Sequence, residues 1–270
     1  MNTARIAALA RKDLLELLRN PGALFPNILM AAVCILVPLG IGIVMPMMTG
    51  ETLAEDDDFR RVLRAMAPML PGLESMRPEA AVQAFFFQQF LTLFLMIPVA
   101  GAMAFAAHAV IGEKHGRTLE PLLATPLTTA ELLMAKLASA LLPSLILEFV
   151  ALAVYWTAIV VFSEPGVAAI VISLRTALIV ALLGPLCAAV ALMLALIVSA
   201  RVNDPRSAQQ IGVIVILPIT ALLAAQLTGL FWLSITWILI ASAALGMLFA
   251  VLTAVGVALF EREAILTRWK

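Results

Sequence analysis
The side chains most able to do chemistry in this chain are a few polar residues set inside long apolar runs. Glu148 lies about twelve residues beyond Lys136, roughly 18 Å along a helix rising 1.5 Å per residue and so near the middle of a bilayer. An ionised carboxylate at that depth is costly and usually faces a cavity or a partner. Two readings stand. Glu148 lines a translocation path or takes a cationic group of a substrate, or it is protonated and hydrogen-bonded to a neighbouring helix. Gln88, Gln89 and Thr92 in one apolar run and Gln226 in another are weaker candidates, because such side chains more often tie membrane helices together at about 0.6 kcal/mol each. The cluster Phe85, Phe86, Phe87, Phe90 and Phe94 is expected to face lipid or a second copy of the chain.

Other chemistries lack their residues. Cys34 and Cys187 each sit inside an apolar run, where a small packing role is expected, not a disulfide or metal pair. His108 and His115 suit core or headgroup contact. The chain has no G-x-x-x-x-G-K-[ST] phosphate loop. Residues 112–118, GEKHGRT, lack the Gly-Lys-Thr ending and follow an apolar run, not a strand. H-E-x-x-H, Cys-x-x-Cys and G-x-S-x-G are absent as well. The chain is therefore read as a non-enzyme that binds no cofactor of its own.

The elements that must hold these residues are membrane helices. Of 270 residues 63% are hydrophobic and 13% charged, with a mean hydropathy of +1.08, far from the balance of a soluble domain. In residues 1–20, Ile6, Leu9, Ala10, Leu14, Leu17 and Leu18 recur at helical spacing against Arg5, Arg11, Lys12, Glu16 and Arg19, the pattern of a helix lying in the membrane interface. Apolar runs then place spans at 26–48, 84–111, 132–162, 176–200, 211–228 and 233–260, the last two divided by a turn at Gly229 and Trp232. An acidic-then-basic outer segment, 49–83, holds Phe59, Val62, Leu63 and Met66 at the spacing of a short amphipathic helix.

Charge placement orients the set. Arg5, Arg11, Lys12, Arg19, Lys114, Arg117, Lys136, Arg201, Arg206, Arg262, Arg268 and Lys270 fall on one side; Arg60, Arg61, Arg64, Arg77 and Arg175 fall on the other. The richer side is cytoplasmic by the positive-inside rule. Both termini are then inside, an even number of spans is required, and six satisfies it. The expected fold is an all-α polytopic membrane domain over 1–270.

The main cytoplasmic loop, 113–131, is double-capped. Thr118 is a good N-cap with Glu120 and Pro121 in the first turn, opening a short helix through Ala124 that displays Leu122 and Leu123. Thr125-Pro126 ends it. Thr128 and Glu131 then write a capping box, with Leu127 and Leu132 as a hydrophobic staple, so the chain re-enters the membrane at once.

The run Gly112-Glu113-Lys114, Thr118 through Pro126, and Lys136-Leu137 resembles the cytoplasmic loop motif of ABC type-2 permeases, the membrane subunits of ATP-binding-cassette exporters. The resemblance implies that the loop is a coupling helix seated on a separate ATPase and that residues 1–20 form a connecting helix bracing it. By position it makes Glu113, Gly116, Arg117, Thr118, Leu119, Glu120, Leu122, Leu123, Thr125 and Pro126 the ATPase-coupling interface. Arg117 departs from the pattern, since many members carry Gly immediately before the Thr. Also implied are two ATPase copies carrying ATP and Mg, a second permease as homodimer partner, and a multi-pass place in the cell membrane, with no nucleic acid. The contrasting classes are an ion-coupled secondary transporter, which would show repeats or more intramembrane charge, and a membrane assembly scaffold, which leaves the double-capped loop unexplained.

Overall fold
The computed structural model describes residues 3–50, 60–61, 64, 72–115, 128–199 and 212–259. Helix α1, Thr3–Leu18, buries Leu9, Asp13 and Leu17, a single stripe because residues four apart share a face. Asn20 then caps the next helix, its side chain accepting from the Gly22 N–H at 3.1 Å, and Pro21 fills the first position, where no hydrogen bond is lost. Helix α2, Pro21–Leu39, runs through a π turn, Gly40–Val44, into α3, Met45–Thr49.

That π turn has a visible cause. Pro46 has no N–H for the carbonyl four residues back and its ring crowds that carbonyl; widening the turn relieves the clash. The carbonyl is Gly42's, and the Gln83 Nε2 donates to it at 3.1 Å. The same device recurs after α8, Leu174–Leu178, where the π turn Ile179–Leu183 leads into α9, Gly184–Ser199, just ahead of Pro185.

The centre of the bundle is α4, Pro78–Phe90, which tightens through a 3-10 stretch, Leu91–Leu95, into α5, Met96–His115. Around it stand α2, the long α6, Thr129–Phe162, the short α7, Val167–Val171, and α10, Gly212–Leu227. Helix α11, Ile235–Leu259, packs against α9. Five helices are long and apolar enough to cross a membrane, within Leu24–Thr49, Pro78–Phe105, Ala130–Phe162, Leu174–Val198 and Ile235–Leu259; Ile214–Leu227 is apolar but shorter. The described residues are overwhelmingly helical and include no strand, so the protein is an all-α polytopic membrane fold.

Two expectations are corrected here. The phenylalanine cluster does not face lipid: Phe85, Phe86, Phe87, Phe90 and Phe94 are all buried inside the chain. A helix apolar on every side fits lipid and protein equally well, and the neighbouring elements decide for protein. Tyr155 on α6 completes this core, its ring 5.0 Å from Phe94 and 6.2 Å from Phe87, its hydroxyl donating to the Phe87 carbonyl at 3.1 Å. Tyr155→Phe is expected to lower stability by about 1 kcal/mol, read as a lower midpoint of thermal unfolding in detergent with the fold retained. Arg175, counted as an outer loop cation, is instead 7% exposed, because Trp232 and Leu233 of the 228–234 turn close over the start of α8.

Candidate functional site
One end of the bundle is built around the start of α6. The Thr128 Oγ1 accepts from the Glu131 N–H at 3.2 Å and the Thr128 N–H donates to Glu131 Oε2 at 3.1 Å, so the capping box expected from T-x-x-E forms. In the turn that follows, Leu132 and Ala135 bury against Leu9, with Ile6 and Ala10 alongside. One residue further, Lys136 Nζ lies 3.2 Å from Asp13 Oδ2, with the two side chains 6% and 5% exposed. Helix α1 is thus fastened to α6 by an apolar patch and a buried ion pair. Lys12 stands 3.8 Å from Asp13 and 3.4 Å from Glu16 at the exposed edge.

Sequence reasoning missed this pair, though a signal existed. Asp13 is four residues from both Leu9 and Leu17, inside the apolar stripe of α1 and off its charged face. A carboxylate there calls for a cation from whatever packs on that stripe.

The backbone of Glu113 belongs to the last turn of α5. The other loop residues assigned to the coupling interface, Gly116, Arg117, Thr118, Leu119, Glu120, Leu122, Leu123, Thr125 and Pro126, lie outside the described residues.

Within the bundle, α6 turns one stripe inward: Leu133, Leu137, Ala140, Ser144, Glu148, Leu152, Tyr155 and Ile159 are all buried. At Ser144 the helices meet closely, since a Cβ added to Gly101 on α5 would lie 2.7 Å from the Ser144 Cβ and 3.8 Å from the Asn27 side chain of α2. Ser144 turns its hydroxyl back to the carbonyls of Ala140 and Leu141, both at 2.9 Å, and so spends its donor within α6.

Glu148, one turn on, is fully buried. Its carboxyl rests on Gly184, where α9 leaves the π turn: an added Cβ would lie 2.5 Å from Oε1 and 3.2 Å from both Cδ and Oε2. Neither oxygen has a hydrogen-bond partner among the described residues. Gly184 therefore gives the carboxyl its seat. Gly184→Ala is expected to cost about 1–3 kcal/mol through overpacking, and the loss should disappear when Glu148→Ala is also present. Thermal unfolding of the two single variants and the double variant measures it.

The glutamines separate into two groups. Thr92 and Gln226, 134 positions apart, meet with Gln226 Nε2 donating to Thr92 Oγ1 at 3.0 Å, the helix-tying role. Gln88 Nε2 makes a long bond of 3.5 Å to Ser173 Oγ, while Gln89 is fully buried and neither of its amide atoms has a partner among the described residues. The structure does not bring Glu148 into hydrogen-bond contact with any of them.

A family model described as ABC-2 family transporter protein matches residues 7–235, most of the 270-residue chain. The chain belongs to this family. No curated protein gives a significant match. The matched segment of this ABC-2 permease takes in α1 with Asp13, the Thr128 capping box and Lys136, the Glu148 seat on Gly184, and the glutamines of α4 and α10. The ABC-2 family assignment and the apolar helices together make the chain a multi-pass transport component of the membrane, not a catalyst in its own right.

Proposed function
We propose that this chain is the permease subunit of an ATP-driven exporter, six-spanned with both termini in the cytoplasm of a plasma-membrane assembly, α10 being the fifth span. Two copies form the path, and each takes a separate ATPase subunit on the loop between α5 and α6 through Glu113 to Pro126, which acts as the coupling helix. ATP binding closes the ATPase pair and presses on these loops. The observation that carries the reading is the rigid base of α6. A loop that ends in a capping box, an apolar patch and a buried Asp13–Lys136 pair passes a push to α6 and α1 together instead of dissipating it in a hinge.

Glu148, carried to mid-membrane by α6, has a carboxyl without a hydrogen-bond partner among the described residues. Its part is to present that group to the cargo or a cation beside it when the helices shift. Polar side chains without partners inside a membrane bundle are costly to keep, which favours a role over mere packing. Glu148→Gln is expected to reduce cargo-stimulated ATP hydrolysis while the complex still assembles; unchanged transport would remove Glu148 from the path.

The subunit reading is tested by isolating the full chain from its native membranes at stoichiometric yield. A co-purifying polypeptide with a G-x-x-x-x-G-K-[ST] loop is the expected result. Recovery of the chain alone, or with partners all lacking that loop, would overturn it.

A further inference from the structure
At the end of the bundle opposite α1, Arg175 is buried to 7% exposure. Its Nε donates to the Leu233 carbonyl at 2.7 Å and its guanidinium carbon lies 3.9 Å from the centre of the Trp232 ring. These contacts hold one edge and one face of the guanidinium. The other edge, Nη1 and Nη2, has no hydrogen-bond partner among the described residues, and none of their carboxylates pairs with the charge. A buried cation in this condition is expensive unless an anion joins it.

The surroundings supply further groups in the same condition. Trp232 packs on the small core made by Leu73, Ala81 and Phe85. Gln89 is four residues after Phe85, on the same face of α4, and both of its amide atoms are unpartnered among the described residues. Gln88 reaches Ser173, two residues from Arg175, through Nε2, and its Oε1 is unpartnered. Ser173 in turn shares a 3.3 Å contact with Thr176, whose hydroxyl is committed to the Val171 carbonyl at 2.6 Å. The unspent set therefore holds the Nη1 and Nη2 donors, an amide donor from Gln89, and amide acceptors from Gln88 and Gln89.

We propose that Arg175, Gln89 and Gln88 form a binding site for a phosphate-bearing group. The fork of two guanidinium donors matches two oxygens of one phosphate, Gln89 Nε2 takes a third oxygen, and the amide oxygens accept from hydroxyls on the group that carries it. The site is closed to solvent in this conformation. The 228–234 segment, a turn with Gly229 at φ 75°, is the element whose displacement admits a ligand, because it bears both Trp232 and Leu233. The phosphate comes from solution or from a lipid headgroup. The site stands on this geometry and not on the export reading, so its failure would leave that reading untouched.

The test is binding by the purified full-length chain in maltoside detergent, read by tryptophan fluorescence and by the midpoint of thermal unfolding. One arm titrates inorganic phosphate against chloride at equal ionic strength. The other titrates a lysophosphatidate against a monoacylglycerol of the same chain length, which lacks the phosphate. A saturable response to phosphate, to lysophosphatidate or to both is expected in the wild type, and the arm that responds names the source. Arg175→Gln should abolish it. Gln89→Leu, which replaces an unsatisfied buried amide with an apolar side chain and so should fold well, should weaken binding about tenfold or more, the loss of one hydrogen bond to a charged group. No saturable response in either arm, or Gln89→Leu binding as tightly as wild type, would overturn the site.

Discussion

Leu122→Asp or Leu123→Asp is expected to abolish association of this permease with its ATPase subunit while leaving insertion in the membrane intact. From sequence, the two leucines are expected in a short helix between a Thr118 cap and a Thr125-Pro126 stop, a stub that would be too short to bury them within itself. Burying such an anchor in a partner's groove concentrates binding energy in a few side chains, about 2–4 kcal/mol for each anchor lost. Aspartate adds the cost of desolvating a charge. The combined loss is at least about 100-fold in affinity, enough to leave no complex after purification. Insertion is untouched because both positions lie between apolar runs, not within them. The measurement is the ratio of ATPase to permease after affinity purification, alongside the membrane-bound yield of the permease. A stoichiometric complex with either variant would show that this loop is not the dock.

Lys136→Met is the second large effect, and it acts on stability and coupling together. The substitution keeps the apolar stem but strands the Asp13 carboxylate in a site 5% exposed. Removing one partner of a buried pair costs about 3–5 kcal/mol. The lower end applies here, because Lys12 already stands 3.8 Å from the same carboxylate. Helix α1 should then detach from α6, with trypsin cutting at Arg5, Arg11 and Lys12 much faster than in wild type. The double variant Asp13→Leu with Lys136→Met removes both charges and should recover most of the loss, since matched apolar replacements of buried ion pairs are often neutral or better. A destabilised double variant with protease-sensitive α1 would mean that the contact is not the fastening. If the fastening transmits force, Lys136→Met should also lower ATP hydrolysis stimulated by cargo while leaving the ATPase bound.

The glutamate and the glutamines illustrate a limit on reading sequence. That Glu148 falls mid-span is visible from residue counts alone, because a helix advances by a constant rise. That its carboxyl lies on Gly184 depends on how α6 meets α9, and no periodicity within α6 encodes the identity of a residue 36 positions away. Gln88, Gln89 and Gln226 look alike as polar residues in apolar runs. Only packing separated the Thr92–Gln226 tie from Gln89, which has no partner among the described residues.

The phenylalanine cluster and Arg175 went the other way for related reasons. Lipid tails and protein cores are equally apolar, so hydropathy cannot tell a lipid-facing aromatic from a buried one. Arg175 stands at the start of an apolar run, where basic residues ordinarily reach for water. The 228–234 turn, distant in sequence, covers it instead with Trp232 and Leu233.

What the sequence alone determined is whatever depends on local composition and spacing: the membrane class, the helical runs, the Thr128–Glu131 capping box that ends the 113–131 loop, and the absence of a phosphate loop. Each follows from hydrophobic transfer or from hydrogen bonds between residues a few positions apart. The tertiary structure decided which helix lies at the centre, that Asp13 and Lys136 close on each other, that the Glu148 carboxyl lies against Gly184, and that Arg175 keeps two donors unspent among the described residues. Those outcomes turn on side chains far apart in the chain sharing one small volume, and only the packing of whole helices sets that.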